Sequence, residues 1–267
     1  MTSETIVMRI KKKRITELLE KDTRSDGRAL TEYRNVEIEP GAIERAEGSA
    51  RVRLGKTDVI VGVKIATGTP FQDMPNKGVL TVNAELVPLA SPEFEPGPPG
   101  ENAVELARVV DRGIRESEAI DLEQLCVESG KLVFVVFVDI YVLNHDGNLI
   151  DASTMAALAA LINTKMFKYT VEECQIVKQP GYTPLPVVDY PISVTFAKIG
   201  NKLILDTGLD EEEVTDARLT MTMDKDGNIC AIQKGGGSGY FTQEEIQNAA
   251  KIASKKTAEL RKLVVKS

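Results

Sequence analysis

The fold class rests on one continuous stretch, Lys131-Leu-Val-Phe-Val-Val-Phe-Val-Asp-Ile-Tyr-Val-Leu143, which leads through Asn144-His-Asp-Gly147 into Ala152–Phe167. The first part is rich in β-branched and aromatic residues, which predicts a strand. The Asn-His-Asp-Gly sequence predicts a turn. The third part is predicted to be a helix, and its alanines suit close packing against a sheet: Ala156, Ala157, Ala159 and Ala160. A strand, a turn and a closely packed helix favour an α+β fold.

Further strand-like segments lie on both sides of this stretch. The earlier ones are Asn35–Glu39, Ser49–Leu54, Thr57–Ala66 and Gly78–Leu89. The later ones are Ile192–Ile199, Lys202–Leu205, Arg218–Met223 and Asn228–Gln233. Gly55-Lys56 predicts a hairpin between two of the early strands. Thr242-Gln-Glu-Glu245 is a capping box, which predicts the start of a last helix.

The strands and helices fall into two blocks separated by the proline-rich segment Gln179–Pro186. This arrangement suggests an internal duplication of an α+β unit. We expect an N-terminal helix and turn over residues 1–30, a first half over 31–180 and a second half over 181–267. The basic run Arg9–Arg14 precedes Ile15, Leu18 and Leu19, which is typical of an amphipathic helix. Its charges form either a solvated face or an arm that binds nucleic acid.

The composition is that of a soluble globular protein, with 267 residues, 27% charged, 42% hydrophobic and a formal charge of −7. Such a negative balance argues against binding nucleic acid through the whole surface, so any contact must be local or shared with a partner. No signal peptide or membrane span is predicted, because the longest apolar run has only the length of a strand. We expect a cytoplasmic protein without membrane contact.

The sequence offers little for metal or cofactor binding. Cys126, Cys174 and Cys230 are far apart and form no Cys-x-x-Cys pair, which indicates reduced thiols. The single histidine, His145, is interpreted as a turn residue. The glycine run Gly235–Gly239 lacks the Gly-Lys-Ser/Thr ending of a phosphate-binding loop. We therefore expect no metal and no cofactor.

Three arginines stand out in a helix that follows the Pro/Gly-rich segment Pro88–Gly100: Arg108, Arg112 and Arg115. At about 100° per residue they share a narrow arc of the helix surface. Leu106, Val110 and Ile114 lie roughly opposite and predict the buried face. Planar, permanently charged guanidinium groups suit phosphates. The alternative is a solvated face with ordinary surface pairs, Glu105–Arg108 and Asp111–Arg115.

Several motifs together resemble one family over nearly the whole chain. They are Arg24-Ser-Asp-Gly-Arg28, Gly55-Lys-Thr57, Glu105-x-x-Arg108-x-x-x-Arg112-x-x-Arg115, Asp139–Gly147 with the alanine-rich helix, and Asp206 followed by Glu211-Glu-Glu213. Their order and spacing resemble the RNase PH family. The segment from Gly147 to Leu158 and the Asp206…Glu-Glu-Glu block are most similar to the larger, non-catalytic RNase PH-like subunits of archaeal exosomes.

This resemblance implies a fold of two similar βαβα halves, like that of ribosomal proteins. It also implies a place in a complex that degrades RNA from 3′ to 5′ by phosphorolysis. Six such subunits would form a ring of three heterodimers with catalytic subunits, capped by RNA-binding subunits. In such a ring, Arg108 and Arg112 would reach the RNA phosphates at a neighbouring subunit's active site. Arg115 would join them or serve the subunit interface.

The residues at the expected phosphate site argue against catalysis by this chain. Catalytic relatives read Asp-Gly-Gly-Ser/Thr-Arg before the helix, because a helix N-terminus, a hydroxyl and an arginine together hold phosphate. Here the segment continues as Asn148, Leu149, Ile150 and Asp151. Leu149 stands at the hydroxyl position and Ile150 at the arginine position. Asp151 adds a negative charge that suits the helix dipole but repels phosphate.

A carboxylate pair for metal binding or proton transfer is the second requirement of the chemistry. Asp210 and Asp216 have a plausible spacing for remnants of such a pair, although an acidic surface loop is an equal alternative. We expect a non-catalytic ring subunit that contacts RNA. An autonomous phosphorolytic exoribonuclease, a purely structural scaffold and, more distantly, a small-molecule enzyme are the alternatives.

Overall fold

The computed structural model describes residues 3–172 and 175–266. The first part of the chain forms α1 (Ser3–Glu20), β1 (Val36–Pro40), β2 (Gly48–Leu54), β3 (Thr57–Gly68), β4 (Val79–Leu86), α2 (Glu101–Glu116), β5 (Cys126–Glu128), β6 (Leu132–Asn144), α3 (Leu149–Ile162), β7 (Lys165–Glu172) and β8 (Gln175–Pro184). The remainder forms β9 (Ile192–Ile199), β10 (Lys202–Leu205), α4 (Leu209–Glu213), β11 (Ala217–Met223), β12 (Ile229–Gly235) and α5 (Gln243–Lys266). The predicted α+β class is confirmed.

The first sheet has the strand order β1-β2-β3-β6-β4, with β5 paired to the end of β6. Its pairings are antiparallel except for β4 with β6, which run parallel. A parallel pair needs a crossover connection, and α2 supplies it. This crossover carries α2 onto the sheet, where it packs against β4. The predicted Gly55-Lys56 hairpin joins β2 to β3.

The second sheet has the order β10-β9-β11-β12 and is antiparallel throughout. Helix α5 packs on β9 and β11. Its predicted capping box is present, since the Glu245 amide donates to Thr242 Oγ1 and the Thr242 amide to Glu245 Oε2. The second half thus ends with a strand followed by a long helix, as β6 is followed by α3 in the first half, whereas α4 is much shorter than α2.

Helix α3 lies between the two sheets and packs against β2, β3 and β9. All its residues from Ile150 to Leu161 are buried. The alanines predicted to allow close packing are fully enclosed, and one hydrophobic core joins both sheets through this helix. The N-terminus of α3 is consequently fixed at the junction of the two sheets.

The helix is shorter at its C-terminus than the predicted Ala152–Phe167, and it starts earlier, at Leu149. Asn163 Nδ2 donates to the Ala159 carbonyl and Thr164 Oγ1 donates to the Ala160 carbonyl, which ends the helix. Phe167 instead lies in β7, which pairs with β8. The segment Gln179–Pro186, interpreted as a join, lies largely in that second strand.

The N-terminal helix is held against the second half. Ile15 and Leu19 are buried in a small cluster with Ala197, Ile199, Ile204 and Val214. Within the basic run, Lys11 and Lys12 form salt bridges to acidic residues of the second half, so these charges serve an internal contact. Within residues 3–172 and 175–266, no helix is long and apolar enough to cross a membrane.

Candidate nucleic-acid interface and a closed anion site

Helix α2 presents one apolar and one polar face, as its sequence predicts. Leu106, Val109, Val110 and Ile114 are buried against the sheets. The preceding Pro/Gly segment forms no regular structure, and the helix begins after Gly100. The arginine row therefore points away from the core, along the outer face of the helix.

Arg108 and Arg112 are both exposed on that face. In the part of the chain that the structure describes, neither guanidinium group has a hydrogen bond or a salt bridge. The surface pair Glu105–Arg108, considered above as an alternative, does not form. Glu105 instead accepts hydrogen bonds from Arg218 Nη2 (2.7 Å) and Gln233 Nε2 (3.0 Å). Two permanently charged groups thus remain available to a ligand outside the chain.

Arg115 differs from the other two arginines because the chain itself binds it. Its Nε and Nη2 donate to the Asp111 carboxylate at 3.0 and 2.7 Å, and Nη2 also donates to the Leu80 carbonyl at 3.0 Å. The hydrogen bonds and charge of Asp111 raise the pKa of Arg115 above its ordinary value. The second expected surface pair, Asp111–Arg115, is therefore present.

The turn before α3 is closely packed against the segment that follows Asp206. Gly147 has a φ of 87°, and a β-carbon there would lie 2.4 Å from the Thr207 carbonyl oxygen. His145 lies in this turn, as predicted, and stacks on Phe94 with ring centroids 5.4 Å apart. The next residue, Asn148, caps α3 in a left-handed conformation. The close approach fixes the position of the first amides of the helix.

A carboxylate of the chain itself lies at the N-terminus of α3. The backbone amide of Asn148 donates to Glu212 Oε2 at 3.1 Å. Arg218 Nη1 lies 3.6 Å from the other carboxylate oxygen of Glu212. Anions are favoured at this end of a helix, and here Glu212 from α4 is the anion. Sequence reasoning singled out the Glu211-Glu-Glu213 block only as a family motif and missed this contact.

The side chains at the expected hydroxyl and arginine positions are apolar: Leu149 is half-buried and Ile150 is buried. Neither can donate a hydrogen bond to phosphate. With Glu212 at the amide of Asn148, the site already holds a negative group, its Arg218 is paired with carboxylates, and its two apolar side chains add no donor. We call this region, defined by Asn148, Leu149, Ile150, Glu212 and Arg218, the closed anion site.

Asp151 faces the interior rather than the mouth of this site. It is fully buried and accepts hydrogen bonds from Tyr33 Oη (2.7 Å), Asn148 Nδ2 (3.0 Å), and both the amide (3.0 Å) and hydroxyl (2.7 Å) of Thr195. Burial raises the pKa of Asp151 to about 6, and the hydrogen bonds limit the rise. The expectation that Asp151 repels phosphate directly needs revision, because Glu212 holds the position nearest the helix amide.

Asp206 is a second buried carboxylate beside the same helix end. It accepts hydrogen bonds from Arg34 Nη2 (2.7 Å), Arg28 Nη1 (2.9 Å) and Asn148 Nδ2 (2.9 Å). Burial acts to raise the pKa of Asp206, but the hydrogen bonds and charge of Arg34 outweigh it and lower the pKa. The side-chain amide of Asn148 donates to both carboxylates and thus links Asp206 to Asp151.

The Arg24–Arg28 turn, quoted above for the family resemblance, supports this network. Arg24 is buried and forms a bidentate ion pair with Glu211, and it also donates to the carbonyls of Leu205 and Asp206. Buried charges are tolerated in proteins when they are paired and fully hydrogen-bonded. The motif is therefore explained by internal ion pairing around Asp206 and α4.

The two candidate remnant carboxylates contact the N-terminal helix. Asp210, whose side chain is 66% exposed, pairs with Lys11 Nζ at 2.6 Å, and Asp216 pairs with Lys12 Nζ at 2.5 Å. Among residues 3–172 and 175–266, no three His, Cys, Asp or Glu side chains lie close enough to hold a metal ion. Cys126 and Cys230 are free thiols, whereas Cys174 lies outside the described residues. The interpretation of Asp210 and Asp216 as catalytic remnants stays a prediction.

Comparisons with known proteins agree with this architecture. Residues 32–166 match the 3′ exoribonuclease family, domain 1, and residues 189–256 match domain 2 of the same family. The chain is 55% identical to the exosome complex component Rrp42 of Thermococcus gammatolerans, in an alignment that covers 100% of this chain and 98% of that protein. It is 50% identical to the exosome complex component Rrp42 of Methanopyrus kandleri, with 97% of each chain covered.

Solved structures give the same result. A chain of the Archaeoglobus fulgidus exosome with RNA bound to the active site is similar with a TM-score of 0.88 and 48% identity, over 96% of this chain and 98% of that one. A chain of an archaeal exosome core is similar with a TM-score of 0.86 and 44% identity, over 98% and 99% of the two chains. The resemblance drawn from the motifs is confirmed, and the chain belongs to the 3′ exoribonuclease family, known as the RNase PH family.

Proposed function

We propose that this chain is the non-catalytic ring subunit of an archaeal exosome, a complex that degrades RNA from its 3′ end by phosphorolysis. The curated relatives named above are exosome components, and the identity to them extends over the whole length of both proteins. In this proposal a neighbouring RNase PH-like subunit carries out the chemistry. The chain contributes RNA contacts and helps to build that neighbour's active site.

The observation that carries the proposal is the contact between Glu212 and the N-terminus of α3. Phosphorolysis needs inorganic phosphate as the nucleophile, and phosphate needs donors and positive charge. Here the Asn148 amide already donates to a carboxylate, and the side chains of Leu149 and Ile150 supply no donors. Electrostatic repulsion by Glu212 adds to the loss, so this chain should not activate phosphate by itself.

The exposed face of α2 supports the RNA-contacting role. Arg108 and Arg112 lie on one face, both exposed, and contacts to phosphates position RNA without reading its sequence. A local cationic row also reconciles RNA binding with a net charge of −7. Arg115 belongs to the same row but is bound to Asp111, so its proposed part is smaller.

The wider assembly follows from the same proposal. The chain would form a heterodimer with a catalytic RNase PH-like subunit, and three heterodimers would form a hexameric ring capped by RNA-binding subunits. We keep the division into residues 1–30, 31–180 and 181–267 as part of the proposal. The setting would be the cytoplasm.

Activity measurements with and without the catalytic partner test the proposal. The purified chain alone should release no nucleoside diphosphates from RNA in the presence of inorganic phosphate, whereas the reconstituted complex should release them. Phosphate-dependent degradation by the chain alone would instead support an autonomous exoribonuclease. A separate measurement should compare the complex with its catalytic subunit alone, because a non-contributing scaffold would leave RNA affinity unchanged.

The arginine row is tested by the double variant Arg108→Ala with Arg112→Ala in the reconstituted complex. We expect about tenfold weaker binding of single-stranded RNA, and a salt dependence shallower by about 1.4 in log Kd against log salt, because two phosphate contacts are lost. Arg45→Ala with Lys262→Ala is the matched control, since it removes two exposed positive charges elsewhere. Equal affinities of the arginine variant and wild type would favour the scaffold alternative.

A further inference from the structure

The freedom of Arg108 is unexpected from the sequence of its own helix. Glu105 precedes Arg108 by three residues, and residues at this spacing are neighbours on a helix surface. Arg112 follows Glu105 by seven positions, so all three side chains lie along the same side of α2. A free Glu105 carboxylate would pair with Arg108 and weaken the attraction of this guanidinium group for an RNA phosphate.

The second sheet prevents this pairing. Arg218 on β11 and Gln233 on β12 both donate to Oε1 of Glu105, at 2.7 and 3.0 Å. The Arg218 side chain is only 19% exposed and also contacts Glu212 on α4 at 3.6 Å. Arg218 is thus fixed between two carboxylates, and one of them belongs to the RNA-facing helix.

The backbone of β12 leaves space for this contact. Gly235 pairs with Arg218 across the two strands. A β-carbon at Gly235 would lie 2.9 Å from Glu105 Oε1 and 3.0 Å from Arg218 Nη2, closer than side-chain atoms normally approach. The glycine thus leaves room for the ends of the Arg218 and Glu105 side chains to meet at this position.

We propose that Arg218 is a positioning residue for RNA: by holding Glu105, it keeps Arg108 unpaired and available to an RNA phosphate. This role rests on the proposed function of the α2 arginines. Gln233 assists as a neutral donor to the same oxygen. Arg218 need not touch RNA, since its effect passes through the charge of Glu105.

The proposal is tested with Arg218→Ala in the complex reconstituted with its catalytic partner, using a 5′-labelled oligoadenylate as the probe. We expect about threefold weaker binding at low salt, the size of a surface ion-pair effect. The salt dependence should become shallower by up to about 0.7, the value for one phosphate contact with a single strand. Adding Glu105→Gln to Arg218→Ala should restore both affinity and salt dependence, because the competing charge is gone.

Three control results separate the possible explanations. Arg218→Lys should bind RNA almost as well as wild type, since an ammonium group can still hold Glu105. Weak binding by Arg218→Ala that persists with Glu105→Gln would overturn the proposal, because it would mean direct RNA contact or a general structural role. No change on Arg218→Ala would overturn it as well.

The design also distinguishes this inference from the proposed function. If Arg108→Ala with Arg112→Ala leaves RNA binding unchanged, the proposed function of the arginines fails. If that variant weakens binding but Glu105→Gln does not rescue Arg218→Ala, only the positioning role fails. Should Arg218→Ala not assemble, Gln233→Leu provides the second test, with a smaller loss that Glu105→Gln should again restore. A Gln233→Leu loss without rescue would overturn the proposal.

Discussion

The N-terminus of α3 and the outer face of α2 differ in whether their charged side chains have partners within the chain. At α3, the carboxylates of Glu212, Asp151 and Asp206 are bound by groups of the same chain. On α2, Arg108 and Arg112 have no such partners among the described residues. Charges satisfied inside the chain stabilise its structure, whereas exposed charges are free for another molecule. The difference separates a region whose charges are satisfied within the chain from one whose charges remain available to a ligand.

Burial explains why the two regions differ. A charged group removed from water must be paired and hydrogen-bonded, and the buried carboxylates meet this demand through Arg28, Arg34 and Asn148. An exposed guanidinium group remains hydrated and needs no partner. The buried network can therefore be probed by stability, and the exposed row by RNA affinity.

The largest effect is expected from breaking the buried network at Asp206. Asp206→Ala leaves Arg34 and Arg28 without their shared carboxylate, which should lower the free energy of unfolding by about 3–5 kcal/mol. Urea denaturation of the purified chain measures this change. Asp210→Ala, which removes an exposed carboxylate paired with Lys11, is the control and should cost about 0.5 kcal/mol or less. Similar losses in both variants would contradict the contrast between the regions.

The next effect concerns Asp151 and pH. Its folded-state pKa of about 6 lies above the ordinary carboxyl value of about 4, so the folded state binds the proton more tightly. Stability from this group is therefore present at low pH and is lost as the pH rises from about 4 to 6. The stability advantage of wild type over Asp151→Asn should shrink by about 2 kcal/mol between pH 4 and pH 7. Urea denaturation across this range tests it, and a constant difference would argue against a raised pKa.

A smaller effect should follow from opening the closed anion site. Glu212→Gln removes the carboxylate at the Asn148 amide while keeping the size of the side chain. Inorganic phosphate at 100 mM should then stabilise the variant by about 1 kcal/mol more than wild type, which corresponds to a Kd of about 20 mM. Thermal unfolding with phosphate, against chloride at equal ionic strength, measures the difference. Glu213→Gln is the control, because Glu213 pairs with Lys11 instead. An equal response of both variants would contradict the role of Glu212.

Local sequence patterns were sufficient to predict most of the strands and helices of the fold. Two strands, Ile192–Ile199 and Lys202–Leu205, have the predicted bounds, because alternating and β-branched patterns report burial directly. The hairpin of β7 and β8 was missed because Lys165–Phe167 continues the helical pattern of the sequence, whereas hydrogen bonds of Asn163 and Thr164 end the helix before these residues. A helix end that depends on side-chain hydrogen bonds to particular carbonyls is hard to recognise from periodicity.

The sequence predicts residues for the candidate site but not the contacts that these residues make. The loss of the hydroxyl and arginine positions at Leu149 and Ile150 was visible in the motif. The contact between Glu212 and Asn148 was not, because these residues are 64 positions apart. The same limitation applies to Glu105, whose neighbour in sequence is Arg108 but whose partner in space is Arg218. Long-range ion pairs depend on the arrangement of the two sheets.

The smallest effect distinguishes arginines within α2 itself. Arg115→Ala should weaken RNA binding by the complex less than about twofold and leave the salt dependence unchanged, since Asp111 already neutralises Arg115. Arg108→Ala, the matched control about two helical turns earlier, should make the salt dependence shallower by about 0.7, the value for one phosphate contact with a single strand. If Arg115→Ala matched Arg108→Ala in salt dependence, pairing within the chain would not decide which arginines contact RNA. The ion pair Asp111–Arg115 would then have to open when RNA binds.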